Sequence, residues 1–195
     1  MFELIYPVDP APILPSLTAN SPRDGRLDGE VFPVVEKSGL VVGRASRSYC
    51  HGGSRLLHPV VHLHIIDHEE RIYLQKRSMK KDIQPGKWDT AVGGHVGYGE
   101  SLVEALLRES MEELHLTRFN PVYIGTYPYD SERERELVNI FATVGSFDIS
   151  PDLDEVTDGR FWTIAEIDAA MGKNVLTPNF EMEFGRIRNK LLALL

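Results

Sequence analysis

Glu109, Glu112 and Glu113 stand at i, i+3 and i+4 in the run SLVEALLRESMEELHL. In a helix, that spacing gathers three carboxylates within one turn. Like charges so placed cost roughly 0.2–0.5 kcal/mol per pair unless something offsets them. Arg108 offers one offset, through an i, i+4 ladder with Glu104 and Glu112. Just ahead of this run lie Gly93, Gly94, Gly97 and Gly99. Glycine lets a backbone come close to a ligand and turn sharply. Most acidic helix faces are simply solvated. A glycine-rich loop feeding a helix that gathers acids suits something else, a diphosphate bridged to protein by Mg²⁺. That ion takes hard oxygen ligands and is commonly shared between carboxylates and substrate phosphates.

Such a site needs elements to hold it. Ser101 followed by Glu104 is a capping-box pattern, so the spacing predicts a helix over residues 102–114. Val103, Leu106, Leu107, Ser110 and Leu114 form its expected packing face, with the three acids on another side and Glu112 and Glu113 expected to be exposed. EVFPVV and LVVGRASR read as two strands around the turn at Lys37-Ser38-Gly39. Residues 60–66 and 71–75 read as a hairpin turned by Asp67-His68-Glu69-Glu70. A polar loop is expected over 78–90, strands over 122–126, 137–144 and 160–163, and helices over 164–171 and 180–195. Strands flanked by several helices imply a layered α/β (α+β) domain. Residues 1–29 carry Pro7, Pro10, Pro12, Pro15 and Pro22, which forbid a continuous helix or a central strand. They read as a loosely structured extension to a domain spanning 30–195, and leave open whether the extension packs in a homodimer.

Gly94, Glu100 after five residues, Arg108-Glu109 after seven more, Glu112-Glu113 and Leu116 resemble the Nudix box, G-x5-E-x7-R-E-U-x-E-E-x-G-U with U bulky and apolar. Two positions depart from it. Ser110 stands for a bulky residue, and His115 for the glycine that ends the helix, which requires His115 to take a left-handed backbone. The resemblance runs from about residue 30 to residue 185 and includes the run DGRFWTIAEI. It implies an α/β/α sandwich with a mixed central sheet and metal-dependent hydrolysis of a diphosphate linkage in a small, nucleoside-diphosphate-linked substrate. It further implies Mg²⁺ or Mn²⁺ on Glu112 and Glu113. Glu109 completes the metal site or orients water, and the Gly94 carbonyl is a further ligand. Arg108 pairs with Glu100 and Glu104 or holds Glu109. In relatives the general base is often a glutamate on a loop outside the box, for which Glu155 is a candidate.

A second likeness overlays the first. Gln75-Lys76-Arg77, then Lys80 or Lys81, then Pro85-Gly86-Lys87-Trp88-Asp89-Thr90 resembles the run leading to the Cys-x-His of isopentenyl-diphosphate isomerases, which share the Nudix fold. Those enzymes bind a metal through two histidines seven apart, the histidine of Cys-x-His and an E-x-E pair. His51, His58, His95, Glu134 and Glu136 match these positions, a candidate second metal site. Such a mixed nitrogen and oxygen set suits Mn, Zn or Fe. Gly93 falls where the isomerases have their proton-carrying cysteine, and glycine cannot carry a proton. The likeness therefore favours a hydrolase over an isomerase. A silent ligand-binding module is the third reading, against which all box acids are kept.

The chain has 195 residues, 42% of them apolar, with a net charge of −8. No basic stripe marks a nucleic-acid polymer binder, and no apolar run suits a membrane span. The first ten residues carry acids and prolines instead of a secretory leader. Cys50 is the single cysteine, which excludes internal disulfides and fits a cytoplasmic protein. Lys76, Arg77, Lys80, Lys81 and Lys87 concentrate positive charge ahead of the box, a rim suited to steering phosphate, with Arg77, Lys81 and Lys87 as candidate substrate contacts. His62 and His64 alternate with His58 along a strand and are expected to line a polar sheet face or the cleft.

Overall fold

The computed structural model describes residues 29–80, 83–152 and 156–195. Of the expected extension, only Gly29 falls within them. Strands β1 (Val31–Val35) and β2 (Val41–Ser46) form a two-stranded antiparallel ladder. A short helical turn follows, α1 (Arg47–Tyr49), running on into Cys50–Ser54. The main sheet is mixed. Its order is β5 (Trp88–Asp89), β4 (Ile72–Arg77), β3 (Leu57–Ile66), β8 (Arg135–Val144) and β7 (Val122–Asp130). β6 (Val92–His95) pairs with β3, and β9 (Val156–Trp162) pairs with β4. The helices are α2 (Leu102–Leu114), α3 (Ile164–Ala170) and α4 (Pro178–Leu192).

The chain divides into two compact units. One comprises Met1–Val61, Gly94–Leu106 and Thr126–Asn139, the other His62–Gly93, Leu107–Gly125 and Ile140–Leu195. In the first, Phe32, Val34, Ala45 and Cys50 form one buried cluster, and Val35, Leu57 and Leu137 another. In the second, Leu63, Ile65, Ile66, Ile72, Leu74, Phe141, Phe180 and Phe184 are buried. β3 is buried along all ten residues, as expected of a central strand rich in β-branched side chains. Its three histidines are buried too. Polar groups in that position need partners.

α2 forms as its local pattern requires. The Ser101 amide donates to Glu104, and the Glu104 amide to the Ser101 hydroxyl, the reciprocal bonds of a capping box. His115 ends the helix at φ 53° and donates from Nδ1 to the Ser150 carbonyl, so histidine does take the left-handed cap. The expected packing face needs correction. Val103 and Leu107 are exposed, whereas Leu102, Ala105, Leu106, Ser110, Glu113 and Leu114 are buried. The buried stripe is rotated toward the acids because Glu113 has a partner inside. The expected loop over 78–90 also contains β5. The Trp88 amide donates to Val175 and its carbonyl accepts from Thr177, which gives this short edge a partner.

α4 is started by Thr177, whose side chain accepts from the Phe180 amide, with Pro178 at its first turn. Its buried face is Phe180, Glu183, Phe184, Ile187 and Leu191. That is an apolar stripe with one carboxylate in it.

Candidate functional site

The three acids on α2 are not equivalent. Glu113 is 7% exposed. Its Oε2 accepts from the Gln75 side-chain amide at 3.0 Å and from the Gly93 N–H at 3.2 Å. The expectation that both Glu112 and Glu113 are exposed is therefore wrong for Glu113. β4 and β6 each supply a donor, and those bonds draw the carboxylate inward. Glu112 is the exposed member, and Glu109 is half-buried. Arg108 Nη1 lies 2.7 Å from Glu109 Oε1 and 3.1 Å from Glu112 Oε2, so one guanidinium serves both remaining acids. The expected ladder has its Glu112 rung, and Glu104 accepts from the Ser101 amide in the helix cap. Glu100 accepts from the Gly97 N–H at 2.8 Å, which closes the turn before the helix. Gly94 is buried in β6, next to the glycine that binds Glu113.

The basic rim is partly spent on its own loop. Arg77 donates to the Ile83 carbonyl at 3.1 Å and to Asp89 at 3.3 Å, and Asp89 is in turn held by Thr177. Lys76 lies over the Trp88 ring at 5.9 Å, and Trp88 meets Trp162 edge-on at 5.1 Å. Lys87 is half-buried. Lys81 and Glu155, read from sequence as a substrate contact and a base, lie outside the described residues.

A second constellation forms in the other unit. Ring nitrogens of His51, His58 and His95 lie within 4.8 Å of one another. His51 Nε2 faces His95 Nε2 at 3.1 Å. The E-x-E pair is there as well. Glu134 Oε2 is 3.0 Å from His51 Nδ1, and Glu136 Oε1 is 3.9 Å from His95 Nε2. Phe32 backs the cluster, stacked on His95 at 4.4 Å and on His58 at 5.4 Å. His58 donates from Nδ1 to the Leu56 carbonyl at 3.0 Å. Its Nε2 is buried and has no hydrogen-bond partner among the described residues. That bond turns a lone pair on Nε2 toward the cluster, as backbone-held metal-ligand histidines do. Burial pushes His58 below its ordinary value, which favours the neutral, ligating ring. Burial also tends to raise Glu134, but the hydrogen bond and charge of His51 more than offset it, leaving the carboxyl below its usual range. The five residues singled out together in the sequence thus do come together. As a donor set they fit a divalent cation of the Mn, Zn or Fe kind.

Sequence reading missed two functional partners. Gln75 belongs to the expected strand and to the isomerase-like run but carries no site role in the sequence reading, yet it donates to Glu113. Glu183 is fully buried, and its Oε2 and Oε1 lie 2.9 Å from His62 Nδ1 and 2.7 Å from His64 Nε2. His62 and His64 are therefore paired to a buried acid instead of lining an open polar face. The available signal was Glu183 itself, a charge at the i+3 position of the stripe Phe180, Phe184, Ile187 and Leu191. Burial tends to raise this carboxyl. The charge and hydrogen bond of His62, joined by those of His64, win and hold it well below the usual range.

A family model described as the NUDIX domain matches residues 56–180. An isopentenyl-diphosphate Delta-isomerase of Streptomyces avermitilis is 27% identical over 162 residues, covering 80% of this chain and 82% of that protein. An uncharacterized Nudix hydrolase of Streptomyces coelicolor is 30% identical over 163 residues, covering 82% and 88%. Among solved structures, a protein of Deinococcus radiodurans superposes with a TM-score of 0.70 at 19% identity, covering 80% of this chain and 98% of that one. The Nudix domain of Shewanella oneidensis NrtR, solved with ADP ribose, superposes with a TM-score of 0.56 at 17% identity, covering 68% of this chain and 87% of that one.

Proposed function

The chain belongs to the Nudix family of hydrolases, and from that premise we propose that it cleaves a diphosphate linkage in a small, nucleoside-linked substrate, with Mg²⁺ or Mn²⁺ held by Glu109, Glu112 and Glu113. The observation that carries this reading is the differentiated acid set on α2. Glu113 is fixed by Gln75 and Gly93, while Glu109 and Glu112 share Arg108. When bound, the cation supplies charge neutralisation at the diphosphate and acidifies water. The protein's share is to hold carboxylates of graded exposure on one rigid turn. Arg108 keeps Glu109 and Glu112 close despite their repulsion, and Gln75 sets the rotamer of Glu113.

The isomerase alternative is disfavoured because the chain offers no thiol placed to serve it. Position 93 is glycine, and Cys50 is fully buried, its thiol pushed up to about 11 by that burial. A thiol so placed is no proton carrier for substrate. The test is incubation of the purified protein with Mg²⁺ or Mn²⁺ and a panel of nucleoside triphosphates, nucleotide sugars, dinucleoside polyphosphates and isopentenyl diphosphate. Products are identified by mass spectrometry. Metal-dependent cleavage of one class supports the proposal. Rearranged isopentenyl diphosphate, or binding without turnover, would overturn it in favour of an isomerase or a sensor.

A second metal is assigned to His51, His58, His95, Glu134 and Glu136, on the strength of the unpartnered, buried Nε2 of His58. Elemental analysis of the purified protein should find about one equivalent of Mn, Zn or Fe that a His58→Ala variant loses. A metal content unchanged by that substitution would refute the assignment. No helix among the described residues is long and apolar enough to cross a membrane. A single, buried cysteine supports placement in a reducing cytoplasm.

A further inference from the structure

Gln75 lies within β4 and is 5% exposed. Strand alternation puts Tyr73, Gln75 and Arg77 on one face. There the Gln75 amide reaches α2, donating from Nε2 to Glu113 Oε2 at 3.0 Å. A carboxylate only accepts, so Glu113 fixes which atom of the amide faces it. The other atom, Oε1, is buried and has no hydrogen-bond partner among the described residues. Buried carbonyls in native proteins are nearly always satisfied, by protein or by water.

The neighbours across the sheet do not supply the donor. Gln75 is in register with Asp89 on β5 and with Gly159 on β9. Asp89 is itself an acceptor, taken up by the Thr90 amide, the Thr177 hydroxyl and Arg77. Gly159 has no side chain, and the Tyr73 hydroxyl fills the space its Cβ would take. Arg77 spends Nε on the Ile83 carbonyl and Nη1 on Asp89. The carboxylates of α2 only accept, and the phosphoryl oxygens of a deprotonated diphosphate are acceptors as well. Water is the donor that such a site can bring to Oε1. The amide is tied to Glu113 by a hydrogen bond, the position from which outer groups orient what a metal site holds.

We propose that Gln75 positions the attacking water of the hydrolysis, its Nε2 holding Glu113 while its Oε1 accepts from the water. The inference rests on the diphosphate-hydrolase reading. In the step, the water oxygen forms a bond to phosphorus and the bridging phosphorus–oxygen bond breaks. The electron pair of that bond leaves with the departing phosphate. One hydrogen of the water stays on Oε1 of Gln75 as a hydrogen bond, and the other passes as a proton to the departing phosphate. Gln75 takes no proton. It turns a lone pair of the water toward phosphorus by engaging one of its O–H bonds. Glu113 keeps a second hold, since the Gly93 N–H donates to the same Oε2 at 3.2 Å.

The test uses the full chain and the substrate panel described above. Gln75→Met fills the same space without a hydrogen bond. It should lower kcat by about 10–100-fold, the usual effect of losing an outer partner of a metal site, with KM little changed. Gln75→Lys keeps a donor for Glu113 and removes the acceptor, so its kcat should fall as well. A merely structural anchor for Glu113 predicts wild-type kcat for Gln75→Lys, and that result overturns the proposal. A crystal structure of the wild-type protein with Mg²⁺ and methylenediphosphonate, the non-cleavable core of such a substrate, decides the matter even where a variant does not fold. A water at about 2.5–3.0 Å from Oε1, facing phosphorus, is the expected result. The cation itself on Oε1, or a water there that does not face the diphosphate, overturns the proposal. If Gln75→Met keeps wild-type kcat while Glu112→Gln is inactive, the hydrolase reading survives and only the role of Gln75 is wrong. A wild-type protein that cleaves nothing overturns both.

Discussion

Glu113 carries two duties that a pair of substitutions can separate. Its Oε2 accepts from Gln75 and from the Gly93 N–H. Glu113→Gln keeps an oxygen of the same shape for both donors and removes only the charge. It should change stability by less than about 1 kcal/mol, the scale of a single neutral hydrogen bond, yet abolish turnover. Glu113→Ala removes the acceptor. The Gly93 amide is exposed and regains water. Gln75 is 5% exposed, and its Oε1 already has no partner among the described residues, so its amide loses the one bond that Glu113 gives it. A buried donor left unsatisfied costs about 1–3 kcal/mol. For a domain of this size that corresponds to about 2–12 °C in melting temperature, at about 2–4 °C per kcal/mol. Thermal unfolding of the three proteins, with turnover measured on the same samples, reads both effects. Glu113→Ala as stable as wild type would refute the anchoring role, and an active Glu113→Gln would refute its place in the metal site.

Other perturbations follow from the same geometry. Chelation with EDTA should abolish turnover, and re-addition of Mg²⁺ or Mn²⁺ should restore it; activity that ignores EDTA sinks the metal mechanism. Glu183 has a depressed folded-state pKa, so its stabilising contribution is present above the ordinary carboxyl value of 4.5 and is lost as pH falls below it. The stability gap between wild type and Glu183→Gln should accordingly narrow in acid melts below about pH 4.5, and a gap that widens there contradicts the pairing. In β9, a side chain at Gly159 would collide with the Tyr73 hydroxyl and stand 2.7 Å from its Cζ, and Tyr73 is buried at 4% exposure. Gly159→Ala should cost about 1–3 kcal/mol by overpacking, and Tyr73→Phe in that background should recover part of it; an unshifted denaturation midpoint for Gly159→Ala would be the contrary result.

Much of the candidate site was legible in one dimension because helix geometry is local. Ser101 and Glu104 start α2, His115 ends it, and 3.6 residues per turn bring Glu109, Glu112 and Glu113 together whatever surrounds them. The glycines before the helix, the box spacing and the His/Glu ligand pattern were readable for the same reason, as residue types at fixed separations. Strand positions followed from β-branched runs, with ends that shifted by a few residues where pairing partners extended them.

Tertiary structure alone decided which of those residues are inside. Val103 and Leu107 are apolar and exposed, while Glu113 is charged and buried, because Gln75 and Gly93 arrive from other strands with donors for it. His62 and Glu183 are 121 residues apart, and no periodicity connects them. Their meeting depends on how α4 lays its buried face, and on the rule that a carboxylate taken out of water must find donors where it lands. The sequence thus determined the elements and the acids they display. The environment of each acid and each imidazole is a property of long-range packing.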